Sequence, residues 1–104
     1  MLNRMTEIPL TDLTPFLSAH PDMEPGHRIS VCLQRVLDTY GVRSGHLVCL
    51  PSIMTLSRFF HVSHMAVHDA FQQLRKHGYD YTLKSMDAPI AFWYTAPATK
   101  PEQL

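Results

Sequence analysis

Apolar residues recur at helical spacing in three separate stretches of the chain. The first stretch, residues 27–40, repeats Ile29, Leu33, Val36, Leu37 and Tyr40. The second, residues 52–60, repeats Leu56, Phe59 and Phe60. The third stretch, residues 63–77, carries apolar residues at positions i, i+3, i+4 and i+7, namely Val67, Ala70, Phe71 and Leu74. A single apolar stripe of this period is typical of a helix packed on a core, so the pattern predicts three amphipathic helices.

Residues with strong preferences for helix ends mark where the second and third helices begin and stop. Pro51 and Ser52 suit a helix entry, and the hydroxyl of Ser63 can accept a hydrogen bond from the first amides of the next helix. Gly78 follows a cationic last turn, which predicts a left-handed stop there. Only a very short turn at His61 separates the two helices. Two short helices joined in this way must cross steeply, which is the helix-turn-helix arrangement.

Two β-prone segments follow the third helix. Residues 79–83 alternate as a strand should, and residues 90–94 are rich in aromatic and branched side chains. Residues 84–89 would form the loop of a hairpin between them. Residues 42–49 are expected to be a short extended link between the first two helices. The predicted fold class is therefore mainly α with a small β-hairpin.

The 104 residues divide by composition into an arm, a domain and a tail. Residues 1–26 form a proline-rich acidic arm, in which one arginine against four carboxylates gives a net charge of −3. Residues 27–95 form the predicted domain, with seven Arg and Lys against four Asp. Residues 96–104 are expected to be a flexible tail. A mildly basic domain beside an acidic arm is compatible with a polyanionic partner, although the whole chain has zero formal net charge.

Other function classes find little support in the sequence. No apolar run approaches the ~20 residues of a membrane span, and the N-terminus lacks the apolar segment of a signal peptide. A cytoplasmic location without a membrane partner is therefore expected. Cys32 and Cys49 have no metal-type spacing and are predicted to be reduced residues in or near the core. No nucleophile triad, phosphate loop or carboxylate pair stands out, so neither enzymatic activity nor a cofactor is expected.

The ordered series of caps, core positions and stop resembles the winged-helix DNA-binding domain of GntR-type bacterial regulators. The residues that carry the resemblance are Leu50, Pro51, Ser52, Leu56, Val62, Ser63, Val67, Ala70, Leu74 and Gly78. With the preceding helix and the following hairpin, the resemblance covers the middle half to two-thirds of the chain. It implies a winged helix-turn-helix with three helices and a two-stranded wing, whose third helix enters the major groove of DNA.

The resemblance also implies which residues contact DNA. The expected contact residues are Ser52, Ser63, His64, Met65, Ala66, His68 and Lys84. His64 and His68 stand where members of the family usually carry arginine, the side chain that can bridge O6 and N7 of guanine. Hydrogen bonding or a charge contact with DNA is expected of these histidines instead. Their i, i+4 spacing would also suit zinc, but no carboxylate or cysteine is placed beside them, so no metal is expected.

Two functions of different classes remain open from the sequence. The preferred one is a small stand-alone transcriptional regulator, bound as a homodimer to a two-fold operator in double-stranded DNA. The dimer would be built from the N-terminal arm, the first helix or both. The alternative is a winged helix used as a protein-interaction or adaptor module. Its partner would bind an apolar patch made of Ile53, Met54, Phe59 and Met65, at positions where the resembled family is mostly polar.

Overall fold

The described part of the chain combines three α-helices with one four-stranded sheet. The computed structural model describes residues 5–17 and 22–95. The helices are α1 (Pro25–Thr39), α2 (Ile53–Phe60) and α3 (His64–Lys76), and none of them is long and apolar enough to cross a membrane. The strands are β1 (Met5–Glu7), β2 (Leu47–Leu50), β3 (Tyr79–Thr82) and β4 (Ile90–Tyr94). Short 3-10 helices span Leu10–Phe16 and Val42–Ser44, and the architecture belongs to the α+β class.

The sheet is larger than the predicted hairpin and joins strands that are distant in the sequence. Its strand order is β1-β2-β4-β3. The expected hairpin strands β3 and β4 pair antiparallel, with Tyr81 opposite Phe92. The segment expected to be only an extended link contains β2, which pairs antiparallel with β4 and places Val48 opposite Phe92. Strand β1 adds a parallel edge to β2, so the fold class of mainly α with a small hairpin is corrected to α+β.

The predicted helix ends are confirmed to within two residues. Ser52 and Ser63 are the N-caps of α2 and α3, and each hydroxyl accepts a hydrogen bond, at 3.2 Å, from the amide three residues further on. His61 ends α2 in the left-handed conformation, with φ 57°. Gly78 follows α3 with φ 96°, which is the predicted left-handed stop. The local chemistry of these four residues therefore fixes where α2 and α3 begin and end.

The apolar stripes of the helices form the hydrophobic core with one face of the sheet. The third stripe is fully buried and consists of Val67, Ala70, Phe71 and Leu74. The ring centroid of Phe71 lies 5.3 Å from that of Phe92 in β4, in an edge-to-face arrangement. In α2, Leu56 is fully buried, whereas Phe59 and Phe60 are half-buried and pack against the core. These positions confirm the predicted stripes.

Helices α1 and α3 approach each other closely at the N-terminus of α1. Gly26 is buried there, and a Cβ atom added to it would lie 2.9 Å from Cβ of Asp69 and 3.4 Å from the carbonyl oxygen of Ala66. One residue further on, Nδ1 of His27 lies 3.0 Å from Oε1 of Gln73. The missing side chain of Gly26 is therefore what lets the two backbones meet at this distance.

Part of the predicted N-terminal arm belongs to the same core. Ile8 is 2% exposed and Leu13 is fully buried, and helix α1 begins at Pro25 rather than at residue 27. The described residues of the arm are therefore an edge of the domain. Their pattern gave no sign of this, because prolines interrupt the segment and a three-residue strand is too short to show alternation. The other arm residues (1–4 and 18–21) and the whole of the predicted tail (96–104) lie outside the described residues.

Both cysteines lie inside the fold. Cys32 is 1% exposed and Cys49 is 9% exposed, and both are free thiols. Burial raises the pKa of the Cys32 thiol to about 11 and also raises the pKa of Cys49. A thiol whose pKa is raised carries little of the reactive thiolate at neutral pH. The prediction of reduced residues in or near the core is confirmed.

A buried tyrosine should make the stability of the fold fall at alkaline pH. Tyr79 is buried in β3 and its hydroxyl donates a 2.6 Å hydrogen bond to Asp38 of α1. Burial, with a further contribution from that hydrogen bond, raises the pKa of Tyr79 to about 12. The pKa of a tyrosine in an unfolded chain is about 10. Between about pH 10 and pH 12 the unfolded chain therefore binds fewer protons than the folded one. This contribution to stability is present below pH 10 and is lost as the pH rises towards 12.

We therefore expect the free energy of unfolding to fall between pH 10 and pH 12 less steeply in the Tyr79→Phe variant than in the parent. Urea unfolding measured at several pH values in this window gives both slopes. The Asp38→Asn variant is the matched control, because it keeps the tyrosine and weakens its partner, and it should have an intermediate slope. Equal slopes in the parent and in Tyr79→Phe would contradict the assignment to Tyr79.

Candidate nucleic-acid interface

The outer surface of the N-terminal half of α3 is open to solvent. His64 is exposed and Met65 is 68% exposed, and one turn further along the helix His68 is half-buried. The other side of the helix carries the buried stripe. Ala66 is half-buried and lies on the side where α1 approaches. The structure therefore brings His64, Met65 and His68 together on one accessible surface, and it leaves Ala66 mostly turned away from it.

The two predicted serine contacts differ in what they can reach. Ser63 is exposed while its hydroxyl accepts a hydrogen bond from the Ala66 amide. Ser52 is only 7% exposed, and its hydroxyl both accepts from the Thr55 amide and donates to Oγ1 of Thr55 at 3.0 Å. A hydroxyl used in this way is committed to the cap of α2. The expectation that the Ser52 side chain contacts DNA is therefore corrected, whereas the Ser63 side chain remains accessible.

A line of basic side chains runs from the N-terminus of α3 towards β3. His64, His68 and Arg75 are spaced by four and seven residues, which places them along one side of the helix. Nη2 of Arg75 lies 3.2 Å from Oδ1 of Asp80, and its guanidinium lies 4.1 Å from the ring centroid of Tyr81. Arg75 is thereby tied to β3. The two histidines are the members of this line that lie beyond that ion pair, at the N-terminal end of the helix.

The hairpin loop is attached to the start of α2. The carbonyl oxygen of Met86 accepts a hydrogen bond from the amide of Met54 at 3.1 Å, and the half-buried side chain of Met86 packs against the core. Lys84, the cation predicted to act from the wing, is exposed two residues before this contact. Because the loop is fixed at Met86, Lys84 is held within a defined distance of α2. A backbone contact of this kind leaves no signal in the sequence.

Two basic residues that the sequence did not single out as contact residues lie beside the turn between α2 and α3. Arg58 and His61 are both exposed. They line a shallow depression of about 550 Å³ together with Ser57, Val62 and Ser63. Arg58 sits in the last turn of α2, and the left-handed conformation of His61 turns the chain into α3. Their proximity to the turn is the signal that could have identified them, because a phosphate beside α3 would lie close to them.

The apolar patch predicted for a protein partner is not formed as expected. Ile53 is fully buried in the core, and Met54 and Phe59 are only half-buried rather than fully exposed. Met65 is the one of the four with a largely exposed side chain. The reason is that the first turn of α2 packs inward beneath the hairpin loop, so the side chain of Ile53 joins the core. The four residues therefore do not form a single exposed surface.

The charge around this surface is mixed. His61, His64, Arg58 and Lys84 are exposed cationic or titratable groups, whereas the exposed carboxylate of Asp69 follows Met65 by one helical turn. Within residues 5–17 and 22–95, no three His, Cys, Asp or Glu side chains are placed to hold a metal ion. An apolar groove of about 400 Å³ lies elsewhere, at the end of β2, and is lined by Glu7, Ile8, Pro9, Cys49, Leu50, Pro51 and Pro89.

Neither protein-family models nor the curated proteins and solved structures that were searched gave a match to this chain.

Proposed function

We propose that this protein is a small winged helix-turn-helix regulator of the GntR-like type, which binds double-stranded DNA through the N-terminal half of α3. The observation that carries the proposal is the uncovered surface of His64, Met65 and His68 on the second helix of a tightly joined helix pair. In helix-turn-helix proteins this is the part of the recognition helix that contacts base edges. The opposite side of the same helix carries the buried stripe and packs on the core, so only its outer side can meet a groove.

The order of the elements further supports a winged helix. A helix, a strand, two helices joined by a short turn and an antiparallel hairpin follow each other in α1, β2, α2, α3 and β3–β4. Strand β2 pairs with β4, which holds the hairpin beside the helices. The contact between Met86 and Met54 then fixes the hairpin loop over the start of α2. A hairpin held in this position acts as the wing and presents Lys84 towards a neighbouring phosphate.

Each accessible group has a defined chemical role in this proposal. The imidazoles of His64 and His68 donate single hydrogen bonds to base acceptors or phosphates, and they attract phosphate more strongly when protonated. The side chain of Met65 offers apolar contact for a thymine methyl group. Arg58, Ser63 and Lys84 contact phosphates, which orient the protein on the duplex without selecting a sequence. Because the formal net charge of the chain is zero, the attraction is local to this surface.

The second candidate function, an adaptor that binds another protein, would use a smaller surface than the predicted patch. The structure leaves Met65 as the main exposed apolar residue of the predicted patch. An adaptor that used Met65 and the half-buried Met54 and Phe59 would bind protein rather than DNA. The two functions differ in salt dependence, because DNA binding releases counterions and weakens steeply with salt.

Fluorescence anisotropy with a random-sequence duplex at low salt tests the proposed function directly. We expect binding whose affinity falls linearly in a double-logarithmic plot against salt, with about 0.9 units of slope for each phosphate neutralised. The control is the Arg58→Ala, Lys84→Ala double variant, which should have a shallower slope because two phosphate contacts are removed. The absence of binding at low salt would reject DNA as the partner and favour the adaptor.

A further inference from the structure

The two edges of the sheet differ in whether the protein itself closes them. Strand β3 forms one edge, and side chains occupy the outward hydrogen-bonding groups of its residue Tyr81. The amide of Tyr81 donates to Oδ1 of Asp80 at 2.8 Å, and its carbonyl oxygen accepts from Nη2 of Arg75 at 3.4 Å. Arg75 and Asp80 are themselves joined by the 3.2 Å ion pair. Blocking an edge with charged side chains in this way prevents another strand from adding to it.

Strand β1 forms the other edge and is not blocked by any described residue. Its partner on the inner side is β2, towards which the amide of Ile8 donates to the carbonyl oxygen of Cys49 at 2.9 Å. Backbone groups alternate in direction along a strand, so those of Thr6 also point to β2, and those of Met5 and Glu7 point away from it. All three residues of the strand are exposed. Met5 and Glu7 therefore offer two amides and two carbonyls to an incoming strand.

We propose that a second copy of this chain pairs its β1 antiparallel with this edge, with the two-fold axis passing beside Thr6. In this register Met5 faces Glu7 of the partner subunit, and Glu7 faces Met5 of the partner subunit. Residues whose backbone groups point outward meet as hydrogen-bonded pairs, which gives four hydrogen bonds across the axis. The two carboxylates of the Glu7 residues are not directly opposite each other, so the register avoids the repulsion of facing like charges.

The two-fold symmetry of such a strand pair is the reason to expect a second copy of the chain at this edge. This reason rests on the proposed function, because it requires both copies to bind one DNA duplex. The two-fold axis of an antiparallel strand pair is perpendicular to the sheet, so the helices of both copies lie on the same side of one continuous eight-stranded sheet. Both α3 helices are then presented to one side of the dimer. Seven strand spacings of about 4.8 Å separate the two outermost β3 strands of such a sheet, roughly 34 Å in all, and Phe71 of α3 packs on Tyr81 of β3 in each copy. This separation matches the ~34–36 Å between successive half-sites on DNA.

Strand pairing over three residues is a small interface, which predicts a weak dimer. Interfaces at the low end of the size range belong to transient encounters, and they gain strength when a shared ligand holds both partners. We therefore expect the parent protein to sediment as a concentration-dependent mixture of monomer and dimer. A duplex with two half-sites should be bound cooperatively. A parent protein that remains a monomer at every accessible concentration, with or without DNA, would overturn the proposal.

A single proline tests the edge without disturbing the inner pairing. The amide of Glu7 points away from β2, so Glu7→Pro removes an outward donor from each copy while proline remains compatible with an edge strand. The control is Glu7→Ala, which removes the charge and keeps the amide. We expect Glu7→Pro to sediment as a monomer with an unchanged circular dichroism spectrum, and Glu7→Ala to associate as the parent does. Dimerisation of Glu7→Pro equal to that of the parent would place the interface elsewhere.

A disulfide at the two-fold axis gives a second test that does not depend on the proline. Thr6 and Thr6 of the partner subunit would form a non-hydrogen-bonded pair, with Cα atoms about 4.5 Å apart, which a disulfide can bridge. A Thr6→Cys variant should therefore become a covalent dimer under mild oxidation. In the same register a cysteine at position 5 would be roughly 8 Å from its counterpart, too far for a disulfide, so Met5→Cys is the matched control.

The parent protein gives the background level of covalent dimer in this experiment, because its own two thiols are buried. Equal cross-linking of Thr6→Cys and Met5→Cys, or cross-linking of neither, would overturn the proposed register. The failure of the dimer and the failure of DNA binding are separable. A short duplex with one half-site should still bind the monomeric Glu7→Pro variant if α3 contacts DNA, whereas loss of binding to every duplex would reject the proposed function alone.

Discussion

Replacing Phe71 by alanine should lower the free energy of unfolding by about 3–5 kcal/mol, as expected for a large buried aromatic residue. Phe71 is fully buried, and its ring centroid lies 5.1 Å from that of Tyr81 and 5.3 Å from that of Phe92. It therefore joins α3 to both strands of the hairpin. Domains of this size are stable by only about 5–15 kcal/mol, so the variant would retain a small margin or unfold.

Urea or thermal unfolding followed by circular dichroism measures this loss. Gln72→Ala is the matched control, since Gln72 is the exposed neighbour of Phe71 on the same helix. A substitution there should change the free energy of unfolding by less than about 0.5 kcal/mol. If Phe71→Ala cost no more than Gln72→Ala, α3 would not be packed on the hairpin as described.

Changing both histidines of α3 should have the largest effect on DNA binding. Both imidazoles can donate hydrogen bonds to base acceptors or phosphates, so removing them takes two contacts from the centre of this surface. The His64→Ala, His68→Ala variant should therefore bind DNA at least roughly tenfold more weakly than the parent, a difference of about 1.4 kcal/mol.

The reverse change tests the same surface in the opposite direction. The His64→Arg, His68→Arg variant carries two permanent charges, so it should bind DNA more tightly than the parent. His77→Ala is the control, because this exposed histidine lies at the other end of α3 and its replacement should leave the affinity unchanged. Anisotropy titrations at one salt concentration compare all four proteins. A double alanine variant that binds as the parent does would show that this part of α3 does not contact DNA.

The helical part of the fold could be predicted because its signals are local. Ser52, Ser63 and Gly78 each prefer one position at a helix end, and the buried stripes recur over two or more turns. The sheet was harder to predict because β1 and β2 have three and four residues. Strands this short do not establish a period, and their pairing is decided by contacts distant in the sequence. The parallel pairing of β1 with β2 could not be inferred from either segment alone.

The candidate site was predictable in part for a related reason. Helical spacing correctly grouped His64 and His68 near Met65, because neighbours on one helix are fixed by its period. Which side of α2 faces the core depends on how the hairpin loop lies against it. That contact, between the backbones of Met54 and Met86, leaves no trace in the side-chain pattern, and the burial of Ile53 was therefore missed. Arg58 and His61 were not among the predicted contacts because they precede the helix that the resemblance emphasised.

The close approach at Gly26 has a consequence for the proposed DNA contact as well as for packing. The position has no side chain, and the first atom that any other residue would add there points at the backbone and Cβ of α3 between Ala66 and Asp69. These residues are interleaved with His64, Met65 and His68 on the same two turns. A methyl group at position 26 would lie 2.9 Å from Cβ of Asp69, so α1 or α3 would have to shift to accommodate it. In the proposed complex, the position of the two histidines relative to a DNA groove would therefore depend on a side chain that α1 lacks.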